Sequence, residues 1–255
     1  AIFLGVIVLE EQLKWSDFGG MSLIFMGLIA IDGRVFKLLN KKIRTKMKQK
    51  ILPSLMPKNQ KELNEDFKKL KGVAKHLHLD VIDGKFAPNN TLQFPFRLSK
   101  NFQYSAHLMI KNPETWIKKH FQKIELFIPQ FEEIKHKEDY IVWMKKNNKK
   151  IAFAIKPETK VKELKPYLPF TDYVLVLTVH PGFYGSKFLP KKIKKIKEIK
   201  KLNPKTKVII DGGMNPKTIR KASKAGADFF VSGSYTTKAE YPKESIKNLL
   251  KEIKQ

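Results

Sequence analysis

His78-Leu79-Asp80-Val81-Ile82-Asp83-Gly84 is the stretch that decides how this chain folds. Apolar residues at 77, 79 and 81 alternate with polar residues at 76, 78 and 80, which predicts a strand with one apolar and one polar face. Pro88-Asn89-Asn90 follows, and this residue composition predicts a loop. A histidine and a carboxylate at the end of a strand, beside a loop, can hold a divalent metal or move a proton. A polar pair with only a structural role is the alternative for this stretch taken alone.

The same kind of apolar run recurs along the rest of the chain. Strands are predicted near residues 51–53, 74–80, 104–109, 123–127, 151–155, 173–179, 207–210 and 228–231. Helices are predicted between most of them, over 59–71, 113–121, 136–147, 161–168, 190–201, 216–225 and 243–253. This alternation predicts an α/β fold with a parallel sheet, most simply a closed (β/α)8 TIM barrel. An open doubly wound sheet is the alternative, but it would carry a glycine-rich turn where this chain has Pro53-Ser54-Leu55-Met56-Pro57.

Polar residues and glycines follow the predicted strands at the positions where a barrel enzyme carries its active site. Any one of them can be structural, but their joint placement on one rim predicts a site. They are Ser54, His78, Asp80, His107, Gly182, Tyr184, Gly185, Asp211, Gly212, Gly213, Gly233 and Ser234, together with Phe183 inside the Gly182–Gly185 loop.

Within this set, two imidazoles and two carboxylates converge on the barrel mouth. The mixed nitrogen and oxygen ligands His78, Asp80, His107 and Asp211 suit one Zn²⁺, Fe²⁺ or Mn²⁺ ion. Asp80 and Asp211 are predicted to lie across the barrel from each other, so that one can remove a proton and the other return one on the opposite face. The glycine clusters offer backbone N–H groups for a phosphate. Together these features predict inversion at a carbon next to the carbonyl of a sugar phosphate.

Composition argues against a specific nucleic-acid partner despite a net charge of +27. Four of the 51 basic residues are arginine, the residue favoured for recognising phosphates and bases. The lysines lie at helical spacing on predicted solvent faces, as in residues 191–197, where they attract anionic substrates over distance. The chain has no cysteine, which is compatible with a reducing compartment, and we expect the barrel domain in the cytoplasm.

The N-terminal segment differs in composition from the barrel domain. Residues 1–36 are apolar, residues 37–50 form a basic linker, and the barrel domain is predicted over residues 51–255. Residues 1–36 resemble the last helical hairpin of the EamA-type drug/metabolite transporters, in Phe3-Leu4-Gly5 and the small-residue run around Gly19-Gly20. A truncated or fused transmembrane piece, and hence a membrane tether, is the expectation for this segment. An amphipathic extension is the alternative.

Residues 51–255 resemble the ribulose-phosphate 3-epimerase family. The resemblance lies in the His78–Gly84 stretch, His107-Leu108-Met109, Pro181-Gly182-Phe183 and Asp211-Gly212-Gly213, in family order. It also lies in Pro53-Ser54, Gly226-Ala227-Asp228 and Gly233-Ser234. It implies interconversion of D-ribulose 5-phosphate and D-xylulose 5-phosphate, with Asp80 as proton acceptor and Asp211 as donor. It implies that the four ligands named above bind the metal, and that Ser54, His107 and the three glycine clusters hold the phosphorylated ketose.

Several rim positions depart from the family pattern. They are Ile82, Ile128-Pro129-Gln130, Lys156, Leu177, His180 and Tyr184. A hexulose-6-phosphate 3-epimerase of the same family is therefore an alternative, and so is a weakly active barrel with a binding or membrane-tethered role. We expect a homo-oligomer.

Overall fold

The computed structural model describes residues 49–253, and the bounds below are those of the elements in this range. The strands are β1 (Ile51–Leu55), β2 (His76–Asp83), β3 (Asn90–Thr91), β4 (Gln103–Met109), β5 (Leu126–Pro129), β6 (Ala152–Ile155), β7 (Tyr173–Leu177), β8 (Lys207–Asp211) and β9 (Phe229–Ser232). The α-helices are α1 (Gln60–Leu70), α2 (Pro113–His120), α3 (Lys137–Lys146), α4 (Lys194–Leu202), α5 (Pro216–Lys224) and α6 (Pro242–Ile253).

Eight of these strands form one parallel sheet that curls into a barrel. Their order is β5-β4-β2-β1-β9-β8-β7-β6, and a parallel bridge between Gln130 and Ala154 joins the two outer strands. The short strand β3 pairs antiparallel with the end of β2 and stands outside the barrel. The predicted (β/α)8 barrel is confirmed, and the active-site end is the one where the parallel strands finish.

The two faces of β2 separate as the alternation predicts. Leu77 and Leu79 point outward into the main core between the sheet and the helices, whereas His78 and Asp80 lie on the opposite face with their side chains buried. The barrel interior is otherwise filled by apolar side chains, including Leu52, Leu126, Ile128, Leu175, Ile209 and Val231. Buried polar side chains among apolar ones are the informative exception, so the polar face of β2 is a candidate functional face.

The helices pack an apolar face against the barrel and expose their lysines on the opposite face. In α1, Leu63, Phe67 and Leu70 are buried, and the Asn59 side chain caps the helix by accepting from the Glu62 amide at 2.9 Å. Within residues 49–253, the prediction of a solvated lysine face has one buried exception, Lys195 in α4, which is 5 % exposed.

One predicted helix is wrong. Residues 161–168 form two short 3₁₀ segments, Val161–Leu164 and Leu168–Phe170, instead of one helix. Pro166 and Pro169 explain the difference, because a proline inside a helix lacks the amide donor and clashes with the preceding turn. The apolar segment 1–36 and the basic linker up to residue 48 lie outside the described residues. Across residues 49–253, no helix has the length and apolarity needed to cross a bilayer.

Candidate metal centre and active site

The first half of the site is built by pairing β2 with β4. Asp80 and His107 are direct neighbours in this parallel register, so their side chains leave the sheet on the same side. Thr91 of β3 holds the strand end, since its hydroxyl donates to the Asp80 carbonyl at 2.5 Å and accepts from the Ile82 amide at 3.1 Å. The hairpin-like return of β3 thus fixes the backbone from which Asp80 projects.

The second half comes from β8, whose last residue is Asp211. Strands β2 and β8 are separated by β1 and β9 in the sheet order, so the two carboxylates approach from different sides of the mouth. The His107 Nδ1 atom lies 3.2 Å from Asp211 Oδ2 and 3.6 Å from Asp80 Oδ1, and His78 Nε2 lies 3.6 Å from Asp80 Oδ1. One ligand atom from each of these four side chains lies within 4.8 Å of all the others.

These four side chains fit a divalent cation. His78 and His107 are fully buried, and Asp80 is 5 % exposed. His78 Nε2 and Asp80 Oδ1 are buried without a hydrogen-bond partner, although buried polar atoms are paired as a rule. His78 Nδ1 already bonds the Ser105 hydroxyl at 2.9 Å, which leaves Nε2 facing the other ligands. Two imidazole nitrogens and two carboxylates are a donor set that transition metals accept.

Burial and the charges of neighbouring side chains shift the pKa values of His78, Asp80 and His107. Burial lowers the pKa of His78 to about 3, so the ring is neutral, as a metal ligand must be. Burial and the negative charge of Asp211 raise the pKa of Asp80 above its ordinary value, which suits a carboxylate that accepts a proton near neutral pH. Burial also disfavours charged His107, but its hydrogen bonds to Asp211 and Asp80 outweigh this effect and raise its pKa.

Except for buried His107, the predicted substrate-binding residues line one cavity at the mouth of the barrel. Its walls include both carboxylates together with Ser54, Gly182, Phe183, Tyr184, Gly185, Gly212, Gly213, Gly233 and Ser234. His78 and His107 lie beneath this surface, fully buried. All the residues predicted to form the site are therefore brought together at the carboxyl ends of the strands.

The spacing along the chain does not predict where the Tyr184 side chain lies. Its hydroxyl donates to the Ser54 carbonyl at 2.8 Å, and Lys238 Nζ lies 5.5 Å from the ring centre. The ring lies so close to Gly233 that a Cβ at residue 233 would be 2.1 Å from Tyr184 Cε1. The side chain therefore packs inside the mouth, between the ends of β1 and β9, while the neighbouring Phe183 is 57 % exposed.

The loop that carries Tyr184 is held by the loop after β2. Asn89 Nδ2 donates to the Gly182 carbonyl at 2.6 Å, and a Cβ at Gly182 would lie 3.3 Å from Pro88. Gly182 has a φ of 135°, a backbone conformation that residues other than glycine rarely adopt. The Pro88-Asn89 pair thus clasps the loop against the mouth.

Other departures from the family pattern lie at the edge of the site. Lys156 Nζ makes a cation–π contact with Phe86, 4.2 Å from the ring centre. His180 is exposed, and its Nδ1 atom lies 3.5 Å from Glu158 Oε1. Asp83, next to the site in sequence, has a structural role, because its carboxylate accepts from the amides of Lys85, Phe86 and Lys111.

Gln130 is a contact that sequence reasoning missed. It is fully buried after β5, and its side chain lies 2.7 Å from His107 Nε2. The sequence signals the residue only as a departure at the rim, because nothing in the spacing of 107 and 130 predicts that their side chains touch.

A parallel (β/α)8 barrel whose mouth carries paired histidines and carboxylates beneath glycine loops defines a barrel enzyme whose active site has a donor set that fits a metal ion. The family model described as the ribulose-phosphate 3 epimerase family matches residues 50–237. A ribulose-phosphate 3-epimerase from Candida glabrata is 32% identical over 228 residues, which cover 80% of this chain and 92% of that protein. The Schizosaccharomyces pombe enzyme of the same name is 32% identical, covering 78% of this chain and 92% of its own length. The chain belongs to the ribulose-phosphate 3-epimerase family, and the enzyme is an isomerase.

Solved structures agree on the fold. A tryptophan synthase α-subunit mutant from Pyrococcus furiosus superposes with a TM-score of 0.60 at 16% identity, covering 80% of this chain and 98% of that chain. The KGPDC protein from Streptococcus mutans gives a TM-score of 0.59 at 11% identity, covering 80% of this chain and 97% of that chain. At such identities the likeness shows the barrel alone.

Proposed function

We propose that this protein is a metal-dependent epimerase that interconverts D-ribulose 5-phosphate and D-xylulose 5-phosphate by two-base proton transfer at C3. The observation that carries the proposal is the convergence of His78, Asp80, His107 and Asp211 within 4.8 Å at the mouth of a barrel of this family. The relatives named above carry the pentose name, which favours the pentose phosphate over a hexulose phosphate.

The two carboxylates perform the proton transfers in this proposal. Asp80 accepts the C3 proton of ribulose 5-phosphate on one face, and Asp211 donates a proton on the other face; the roles exchange in the reverse direction. Their origin on strands separated by two others supports attack from two sides. When bound by the four ligands, Zn²⁺, Fe²⁺ or Mn²⁺ supplies positive charge that stabilises the enediolate between the two transfers.

The phosphate is held by backbone amides in this proposal. Gly212-Gly213 and Gly233-Ser234 follow β8 and β9, the position at which barrels commonly bind phosphate. A side chain at 212 would come within 2.4 Å of Val179, so glycine is needed for the close approach of these loops. Ser54 adds a hydroxyl at the cavity wall, in contact with Asp80.

The test is turnover of ribulose 5-phosphate beside a hexulose 6-phosphate, with and without chelator and with metal analysis of the same sample. Asp80→Asn and Asp211→Asn are each expected to lose about 10²–10⁴-fold in kcat, whereas the exposed Asp139→Asn is the matched control and retains activity. In D₂O, Asp211→Asn should still exchange the C3 proton of ribulose 5-phosphate without epimerising it. Full epimerase activity in either site variant would refute the two-base mechanism.

We also propose a cytoplasmic location and a homo-oligomeric assembly. The absence of cysteine and a 30% identity to a cytoplasmic isoform from Oryza sativa support the location. Light scattering of the purified full chain tests the assembly, and a monomer at micromolar concentration would contradict it.

A further inference from the structure

His107 is held at both ring nitrogens by the protein. On one side, Nδ1 faces the carboxylates of Asp211 and Asp80. On the other side, Nε2 lies 2.7 Å from the terminal amide of Gln130. A neutral histidine carries its proton on one nitrogen only, so the partner of Nε2 decides whether Nδ1 presents a lone pair to a cation.

The surroundings of Gln130 fix the orientation of its amide. Besides His107, its two terminal atoms have two neighbours, and both are acceptors: Glu132 Oε2 at 3.0 Å and the Ala154 carbonyl at 3.3 Å. The atom that faces these acceptors must be the NH₂ group, so the amide oxygen faces His107 and accepts the Nε2 proton. The hydrogen-bond network therefore assigns a proton to Nε2, which leaves Nδ1 as the nitrogen whose lone pair becomes available when a cation displaces the proton that it shares with the carboxylates.

Glu132 is itself held so that it can only accept. Its Oε1 atom accepts from the Lys156 amide at 3.0 Å and from the Thr159 hydroxyl. Buried Lys195 secures the same loop, donating to the Lys156 carbonyl at 2.8 Å and to the Thr159 carbonyl at 2.6 Å. The chain of contacts thus runs from the loop after β6, through Glu132 and Gln130, to a predicted metal ligand.

We propose that Gln130 and Glu132 are positioning residues that hold His107 with its Nδ1 lone pair directed at the metal centre and thereby set the affinity of the site for a divalent cation. This inference rests on the proposed function only in requiring that the site binds a metal. Partners that fix the tautomer of a ligating histidine are typically worth 10–100-fold in metal affinity.

Glu132→Gln is the decisive variant, because it keeps the size of the side chain and inverts the network. Its oxygen is still needed by the Lys156 amide, so its NH₂ group would face Gln130. Gln130 would then turn its own NH₂ group toward Nε2, which favours the proton on Nδ1. The double variant Gln130→Glu/Glu132→Gln restores an acceptor for Nε2 and keeps the total charge unchanged.

The experiment measures Mn²⁺ and Zn²⁺ dissociation constants by calorimetry on the full chain, together with the ¹⁵N shifts of His107 in the Zn²⁺-bound protein, which show whether Nε2 carries a proton while Nδ1 binds the ion. We expect Glu132→Gln to weaken binding by about 10–100-fold and to lose the Nε2 proton signature of the Zn²⁺-bound wild type, and the double variant to return to within about threefold of wild-type affinity. Glu133→Gln is the matched control, because Glu133 pairs with Lys111 at 2.9 Å and lies outside the network; its affinity should be unchanged.

Two results would overturn the inference: wild-type affinity in Glu132→Gln, or a double variant that binds no better than Glu132→Gln while both keep the wild-type melting temperature. Should Glu132→Gln unfold, Gln130→Leu provides the same measurement, with a 10–100-fold loss expected. A wild-type chain that binds neither ion but epimerises in chelator would refute the metal centre of the proposed function. Normal metal dependence with an unaffected Glu132→Gln refutes this inference alone.

Discussion

Gly233→Ala should destabilise the protein through one identifiable contact, the ring of Tyr184. Residue 233 is not among the glycines with positive φ, so alanine is compatible with its backbone. The added methyl group would lie 2.1 Å from Tyr184 Cε1 and 2.6 Å from Ser54 Oγ. The tyrosine cannot move aside without breaking its 2.8 Å bond to the Ser54 carbonyl, so the cost is steric and is localised at the mouth of the barrel.

The magnitude follows from the depth of this overlap. Adding a methyl group to a well-packed region costs typically about 1–3 kcal/mol of unfolding free energy. In a Tyr184→Ala background the ring atoms are gone, and the other close neighbour, the Ser54 side chain, can change rotamer. Gly233→Ala should then cost little, so the double-mutant cycle should give a coupling energy of about 1–3 kcal/mol.

Urea unfolding followed by circular dichroism at pH 7.5 measures each corner of the cycle. Gly72→Ala is the control, because Gly72 has a φ of 74° and no atom within 4 Å of an added Cβ. Its backbone strain should be the same with and without Tyr184. A Gly233→Ala cost that is equal in the two backgrounds would refute the placement of the ring against residue 233.

Three further predictions concern stability and substrate binding. Burial against Phe96 and Trp116 lowers the pKa of His120 to about 4, so the unfolded chain binds more protons between pH 6.5 and 4 and stability falls as pH falls. His120→Phe should therefore lose about 2–3 kcal/mol less than wild type between pH 7.5 and 4.5, measured by urea unfolding; equal losses would contradict this. A divalent cation at 100 times its Kd should raise the free energy of unfolding by about 2.7 kcal/mol, and an unchanged melting temperature with Zn²⁺ or Mn²⁺ would count against the metal centre. Asn89→Ala should raise KM with a smaller change in kcat, because it removes the 2.6 Å bond that clasps the Gly182 loop; steady-state kinetics on ribulose 5-phosphate decide this, and an unaltered KM would exclude the clasp from substrate binding.

The alternation along β2 shows which structural features the local sequence predicts. A period of two in the sequence separates Leu77 and Leu79 from His78 and Asp80, and the folded strand has the same two faces. The regular recurrence of strands and helices predicts the barrel. The barrel in turn predicts that His107 and Asp211, distant in the chain, lie beside Asp80, because parallel strands end on one rim.

Prolines limit the prediction where it relies on apolar spacing alone. Residues 161–168 have a helical pattern of apolar side chains, but Pro166 interrupts it and the segment folds as 3₁₀ turns. The error is local and leaves the strand order unchanged, because the connection still spans from β6 to β7.

The sequence by itself determined the fold, the rim and the four candidate metal ligands, since these depend on periodicity and on which residue follows each strand. The tertiary structure alone decided how the ligands are held. Gln130 contacts His107 because β4 and β5 are neighbours in the sheet, and the direction of its amide depends on Glu132 and on a carbonyl of β6. Tyr184 reaches Ser54 across 130 residues of chain. Such contacts depend on side-chain orientation in three dimensions, which no spacing along the chain encodes.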